Sequence, residues 1–215
     1  MQPLPHGYTN DTRGDGTTVV KRYVGPQWQT RLATERATLS LLAGRWQAPR
    51  LLGGGADFLE LEHRPGKHGQ ELIDAGHAAP VLRSCGRTLR ELQEDTAGPD
   101  ATVLVHGDFG PNNTLFDPAT FATTAVLDWE WSHRGDPVDD LAWCEWIVRM
   151  HHPGAADALP ALFEGYGSRP PWPQRRQAAA AKCRQMLALV RPAGATGADR
   201  WRRFLATTES WSETP

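Results

Sequence analysis

The chain has 215 residues, with 23 Lys and Arg against 25 Asp and Glu and a formal net charge of −2. That length suits one domain, or one domain in two lobes, with a substantial core. The balanced charge and the lack of a long basic run argue against a nucleic-acid binder, and no run of about 18 apolar residues reads as a membrane span. The three cysteines, Cys85, Cys144 and Cys183, are far apart and read as buried free thiols of a reducing, cytoplasmic setting rather than as disulfides or a zinc site. The opening MQPLPHGYTNDTRG lacks the basic-then-apolar pattern of a signal segment. The nine Trp are expected mostly in the core.

In chain order, residues 1 to 24 read as three short strands, the first around 3 to 8 and the third over 17 to 24, with Gly14-Asp15-Gly16 as a hairpin turn. Alternation in the third strand puts Val19, Lys21 and Tyr23 on one face and Val20, Arg22 and Val24 on the other. Residues 29 to 43 read as a helix whose inner stripe is Leu32, Leu39 and Leu42. Glu35 falls on that stripe. A carboxylate there needs a cation, because leaving it unpaired is costly, and Lys21 is the nearest candidate in sequence.

Residues 49 to 66 read as a strand, a Gly-rich turn and a second strand ending at Pro65-Gly66, a lobe boundary. Residues 78 to 94 read as a helix with Leu82, Cys85, Leu89 and Leu92 inward. A strand at 102 to 105, the polar loop HGDFGPNN, and a hairpin with arms 114 to 116 and 124 to 127 follow. Residues 138 to 150 are apolar nearly all round, as a buried helix is. Residues 173 to 190 read as an amphipathic helix, 191 to 198 as a loop, and 198 to 207 as a last helix. A strand-rich first third before a helical remainder is an α+β pattern in two lobes.

The chemistry concentrates in HGDFGPNN and in VLDWEW, residues 126 to 131. Asp108, Asn113 and Asp128 flank strand ends of the same hairpin, so one site can hold all three. Asp and Asn offer hard oxygen ligands suited to Mg²⁺ that shares phosphate oxygens, with one Asp left to accept a proton from a hydroxyl. That set suits phosphoryl transfer, where positioning and charge neutralisation supply most of the catalysis.

The pattern H-x-D-x-x-x-x-N, then h-D-W-E, then RGDPVDDLAW at 134 to 143, resembles the aminoglycoside phosphotransferase and choline kinase group of small-molecule kinases, relatives of the protein kinases. The resemblance covers nearly the whole chain. It implies a two-lobed protein-kinase-like fold, with a nucleotide-binding N-lobe at 1–65 and a C-lobe at 66–215. It also implies an ATP-dependent O-phosphotransferase using Mg²⁺, with GTP not separable from ATP.

In that likeness, Lys21 holds the phosphates and Glu35 is its partner. PLPHGYTN, with Gly7 and Asn10, is the nucleotide loop. The backbone around Leu61, Glu62 and His63 receives adenine, against which Val19 packs. Asp108 is the catalytic carboxylate, and Asn113 and Asp128 are the metal ligands. His106 is structural, Asp136 supports the catalytic loop by hydrogen bonds, and Asp139 or Asp140 is expected to include a helix cap and a loop anchor. Apart from the likeness, Glu130 either touches the metal through water or caps a turn, the second being the expectation. Glu145 and Trp146 are candidates for the acceptor pocket.

The segment between hinge and catalytic loop is shorter than in this group, which leaves the acceptor open: an aminoglycoside, another antibiotic, an amino alcohol, a sugar-like metabolite or a peptide Ser/Thr. The site is then open, completed by a second copy or partner chain, or built mainly from residues 139 to 211. An inactive nucleotide-binding module, and a metallohydrolase using His106, Asp108, Asp128 and His133, are the readings from other classes.

Overall fold

The computed structural model describes residues 1–3, 10–43, 46–191 and 195–213. A five-stranded antiparallel sheet of order β1-β2-β3-β5-β4 is built from β1 (Gln2–Pro3), β2 (Asp11–Gly14), β3 (Thr18–Arg22), β4 (Leu51–Gly54) and β5 (Phe58–Glu62). Helix α1 (Trp28–Leu42) is inserted between β3 and β4. The expected alternation in β3 holds: Lys21 and Tyr23 are buried, whereas Arg22 and Val24 are exposed. Leu32, Glu35, Leu39 and Leu42 form the buried stripe of α1. Most of the strand read at 3 to 8, Gly7 included, lies outside the described residues.

After the sheet come β6 (Lys67–His68), α2 (Gly69–Asp74) and α3 (Ala78–Thr96), then β7 (Val103–Val105), β8 (Thr114–Phe116), β9 (Thr123–Val126) and β10 (His133–Gly135). These strands form two small sheets, β10-β7 and β6-β8-β9. The remainder is helical: α4 (Val138–His151), α5 (Leu159–Tyr166), α6 (Trp172–Val190) and α7 (Ala195–Ser210). The short elements β6, α2, β10 and α5 carry too few residues to show a period, and the sequence reading passes over them. The segment 191 to 198, read as loop, runs into α7 from Ala195 onward.

Leu82, Cys85, Leu89 and Leu92 of α3 are fully buried, each Leu contributing about 1.5–3 kcal/mol of transfer free energy. They join one core with Leu39, Leu59, Phe109, Trp129 and Leu141. Helices α3 and α5 touch backbone to backbone, since a Cβ on Gly86 would lie 2.1 Å from the Leu162 carbonyl oxygen and one on Gly165 2.0 Å from that of Arg83. A second core joins α4, α6 and α7 through Trp143, Trp146, Ile147, Ala179, Cys183 and Trp201. The three cysteines are free and buried. Among the described residues no helix is long and apolar enough to cross a membrane.

Candidate active site

Lys21 on β3 points under the sheet and meets three carboxylates. Its Nζ lies 2.5 Å from Glu35 Oε2 and 3.2 Å from Glu130 Oε2, and it is bonded to Asp128 Oδ1. Burial alone would lower the Lys21 pKa; the charges of Asp128, Glu35 and Glu130 outweigh it and raise the pKa well above its usual value. Burial likewise pushes Asp128 up, and the Lys21 ammonium more than reverses this. The stripe argument for Glu35 is therefore realised as a buried ion pair, which the Tyr23 hydroxyl and the Trp129 N–H also brace.

Glu130 does not cap a turn, as was expected of it. Its Oε1 accepts from Arg31 Nη1 at 2.9 Å and its Oε2 from Asn10 Nδ2 at 2.7 Å. Asn10 also accepts from Arg31 through Oδ1, at 3.1 Å. The Asn10 side chain is thus spent inside the protein rather than offered to a phosphate. Arg31 is itself fully buried, on the Glu35 face of α1, because i and i+4 share a face. The same burial argument that flagged Glu35 would have found it.

The polar loop HGDFGPNN lies between β7 and β8. Asp108 Oδ2 accepts from Asn113 Nδ2 at 2.9 Å, and Asp108 Oδ1 from the indole N–H of Trp143 at 2.8 Å. Burial pushes the Asp108 carboxyl up to about 6; the Trp143 bond opposes this, and the nearby Asp128 charge adds to it. Asp128 joins the site because Leu127 N–H donates to the Asn113 carbonyl at 2.8 Å. Asp128 has φ +69°, a left-handed conformation that costs a non-glycine residue of order 1–3 kcal/mol.

His106 is fully buried, with both ring nitrogens bonded within the protein. Asp108 N–H donates to its Nδ1, so Nε2 carries the proton and donates to the Leu127 carbonyl at 2.8 Å. Burial lowers its pKa and keeps it neutral.

One expected support is corrected. Asp136 Oδ1 accepts from Val138 N–H and opens helix α4. The carboxylate that holds the loop is Asp140, one of the two α4 residues expected to include a loop anchor; it accepts from His106 N–H at 2.6 Å and Gly107 N–H at 2.9 Å. Asp140 is fully buried in an apolar helix, so it too carried the signal that marked Glu35. Gly107 (φ +82°) has Trp131 across it: a Cβ there would lie 2.4 Å from the Trp131 carbonyl oxygen.

The acceptor-pocket candidates are corrected too. Glu145 is buried in ion pairs with Arg149 (2.9 Å) and Arg175. Trp146 is stacked on Trp143 with ring centroids 4.2 Å apart. The residue of α4 that reaches Asp108 is Trp143, three positions before Trp146. At the hinge, Glu62 N–H donates to the Arg50 carbonyl and His63 N–H to that of Thr17, each at 2.9 Å. Those two donors are committed within the protein. Val19 faces Leu61 across β3 and β5, an apolar platform beside Lys21.

The donor set fits a divalent cation. Asn113 Nδ2 is used on Asp108, which leaves Oδ1 to ligate, and Lys21 takes only Oδ1 of the partly exposed Asp128. A second group, Glu35, Asp128 and Glu130, brings ligand atoms within 4.8 Å of one another; there the Lys21 ammonium supplies the positive charge. Among the described residues that is the one such cluster, and it contains no histidine. His133, exposed and bonded to the Trp131 carbonyl, does not join a histidine–carboxylate metal site.

The model of the phosphotransferase enzyme family matches residues 87–181. Acyl-CoA dehydrogenase family member 10 of Mus musculus is 52% identical over 42 residues, and family member 11 of Gallus gallus 48% over 44. Each stretch is 20% of this chain, and 4% and 6% of those proteins, so the likeness spans a small fraction of their length. Solved structures share the fold over nearly the whole chain. The GDP complex of aminoglycoside 2'-phosphotransferase-IIIa superposes with a TM-score of 0.73 at 13% identity, covering 97% of this chain and 92% of the other. Macrolide 2'-phosphotransferase MphH of Brachybacterium faecium gives 0.64 at 19%, covering 99% and 93%. The streptomycin-ATP-APH(2")-IIa ternary complex gives 0.62 at 14%, covering 86% and 82%.

Proposed function

We propose that this chain, which matches the model of the phosphotransferase enzyme family over residues 87–181, transfers the γ-phosphoryl group of ATP to a hydroxyl of a small molecule. One observation carries the reading: the buried Lys21–Glu35 pair meets Asp128 beside a loop in which Asn113 and Trp143 hold the carboxylate of Asp108. A lysine paired to a helix glutamate, a proton acceptor and two hard-oxygen donors are the parts that phosphoryl transfer requires.

In this reading Val19 and Leu61 flank the base, and Lys21 turns from Asp128 toward the phosphates. Asp108 orients the acceptor hydroxyl and takes its proton. An O–P bond forms to the γ-phosphorus as the bond to the bridging oxygen breaks, and the nucleoside diphosphate leaves. Mg²⁺, held by Asp128 and Asn113, would neutralise charge on the phosphate oxygens. Asp140 and neutral His106 keep the loop in place without meeting substrate.

The test is calorimetric titration of ATP and of GTP, with and without Mg²⁺, into the intact chain and into Asp128→Asn. Metal-dependent binding that the substitution abolishes supports the reading. No binding at millimolar nucleotide, or equal binding by both proteins, sinks it.

A further inference from the structure

The Asp108 carboxylate is held by an indole, and that indole belongs to an aromatic layer built by two helices. On α4, Trp143 and Trp146 stand three residues apart, so both turn to one side. On α7 the buried Ala198, Trp201 and Thr208 recur at spacings of three and seven residues and mark the face turned inward. The rings of Trp143 and Trp146 lie 4.2 Å apart and 7° from parallel. Trp201 flanks both, at 6.3 Å and 21° from Trp143 and at 5.9 Å and 15° from Trp146. Helix α7 grips the pair a second time through Thr208. Its hydroxyl oxygen accepts from the Trp146 indole N–H at 2.7 Å, and its own proton goes to the Phe204 carbonyl, also at 2.7 Å. On α6 the same cluster is met by Ala179 and Cys183, whose small side chains leave room for the three indoles.

Among these rings, Trp143 carries the link to the site. Its N–H donates to Asp108 Oδ1 at 2.8 Å, while Asn113 Nδ2 donates to Oδ2 at 2.9 Å. An indole N–H points along the ring plane. Any turn of the ring therefore swings the donor off the carboxylate, and a hydrogen bond weakens steeply as it bends. The second side-chain torsion of tryptophan is broad and does not fix that plane by itself, so packing must fix it. Trp146 supplies a stacked face, and Trp201 braces both members of the stack. Taking Asp108 as the proton acceptor of the phosphotransferase reading above, we propose that Trp201 is a positioning residue for that carboxylate, acting through Trp143 and Trp146 and touching no reacting atom. Groups at one remove from a site commonly set its geometry in this way. A packing role alone would cost stability when Trp201 is cut back and leave the ionisation of Asp108 where it is. A positioning role moves both.

The carboxyl ¹³C titration of Asp108 separates the two, and it needs neither nucleotide nor acceptor. It is read in the intact chain, Trp143→Phe, Trp201→Leu, Trp201→Phe and Leu187→Ala. The last is a truncation in the same cluster that leaves every ring in place. Trp143→Phe removes the indole bond outright and fixes the full upward shift, about one pH unit for a hydrogen bond to a charged group. Trp201→Leu is expected to give about half of that shift or more, because the bond is bent rather than deleted. Trp201→Phe should give a smaller shift in the same direction, and Leu187→Ala none, despite its loss of stability. The indole N–H resonance of Trp143, assigned by its loss in Trp143→Phe, should titrate with Asp108 in the intact chain and respond less in Trp201→Leu. The proposal is overturned if the midpoint does not rise in Trp143→Phe or in Trp201→Leu, or if Leu187→Ala raises it as far. If Trp201→Leu does not fold, Trp201→Phe decides by the same rule. Calorimetry of a non-hydrolysable ATP analogue with Mg²⁺ on the intact chain tests the reading beneath. A chain that binds no nucleotide yet shows the shift sinks the phosphotransferase reading and leaves the coupling of Trp201 to Asp108 standing.

Discussion

The ammonium of Lys21 is bonded directly to the carboxylate of Asp128, a residue 107 positions later in the chain. The pair closes the strand-rich part of the molecule onto the segment that follows β9. Together with Glu35 and Glu130 it concentrates three carboxylates around one cation.

Lys21→Met should therefore do more than weaken nucleotide binding. It leaves Glu35 and Glu130 buried with Arg31 as the nearest remaining cation. The expected loss of unfolding free energy is about 3–5 kcal/mol, the usual penalty for stranding buried charge. Lys21→Met with Glu35→Gln should recover part of it. Urea denaturation measures both, and a loss under about 1 kcal/mol would mean the ion cluster is not desolvated in solution.

Asp140 and Asp136 should part company. Asp140→Ala strips two buried backbone N–H groups of their acceptor, at about 1–3 kcal/mol each. Asp136→Ala removes a helix-end bond, worth about 1 kcal/mol. Thermal or chemical unfolding of the two variants ranks them, and equal losses would return Asp136 to the supporting role.

The pH behaviour of Asp108 has a definite sign. Its carboxyl titrates at about 6 in the folded chain, against roughly 3.9 in an unfolded one. Folding thus favours its protonated form. This group's penalty on stability is fully present above about 6 and is relieved as pH falls toward 4. The ionised form that accepts a proton is lost over the same window, so kcat/KM should fall as pH drops through about 6. Trp143→Phe removes the N–H that stabilises the anion and should move the midpoint upward. Carboxyl ¹³C NMR titration, with Asp108→Asn to assign the resonance, reads this without a substrate. A midpoint that stays or falls would show that the indole bond does not set it.

Gly107→Ala should be destabilising on two independent grounds, the left-handed φ and the 2.4 Å approach to the Trp131 carbonyl. The expected cost exceeds the roughly 1–2 kcal/mol of the left-handed conformation alone. Gly16, with φ +89° but open space around it, is the control. Gly16→Ala should show the backbone cost without the clash, and denaturation midpoints for the pair separate the two effects.

Much of this architecture was already legible along the chain. Period-two alternation put Lys21 on one face of β3 with Val19 and Tyr23, and the 3.6-residue stripe put Glu35 inward on α1, because burial imposes the periodicity of the element on the residues that face the core. The order of HGDFGPNN, LDWE and GDPVDDLA marked the polar loop and the candidate oxygen ligands Asn113 and Asp128, since local turn chemistry and ligand type are written in contiguous residues. Those signals are local, and they gave the fold class and the candidate residues that the structure brings together around Lys21 and Asp108.

What only the tertiary structure decided is which of several equivalent groups meets which. Asp136 and Asp140 are both plausible loop anchors by spacing. The packing of α4 aims Asp140 at the loop and leaves Asp136 at the helix end. Glu145 is an acceptor residue by position and a partner of Arg175 by contact. Arg31, Glu130 and Asn10 form one buried network from three distant segments. Lys182 on α6 meets the ring of Trp131, a residue from a distant segment. Pairings between charges far apart in sequence depend on the angle and register at which helices pack. Those are set by the whole core at once, so no local stretch of the chain carries them.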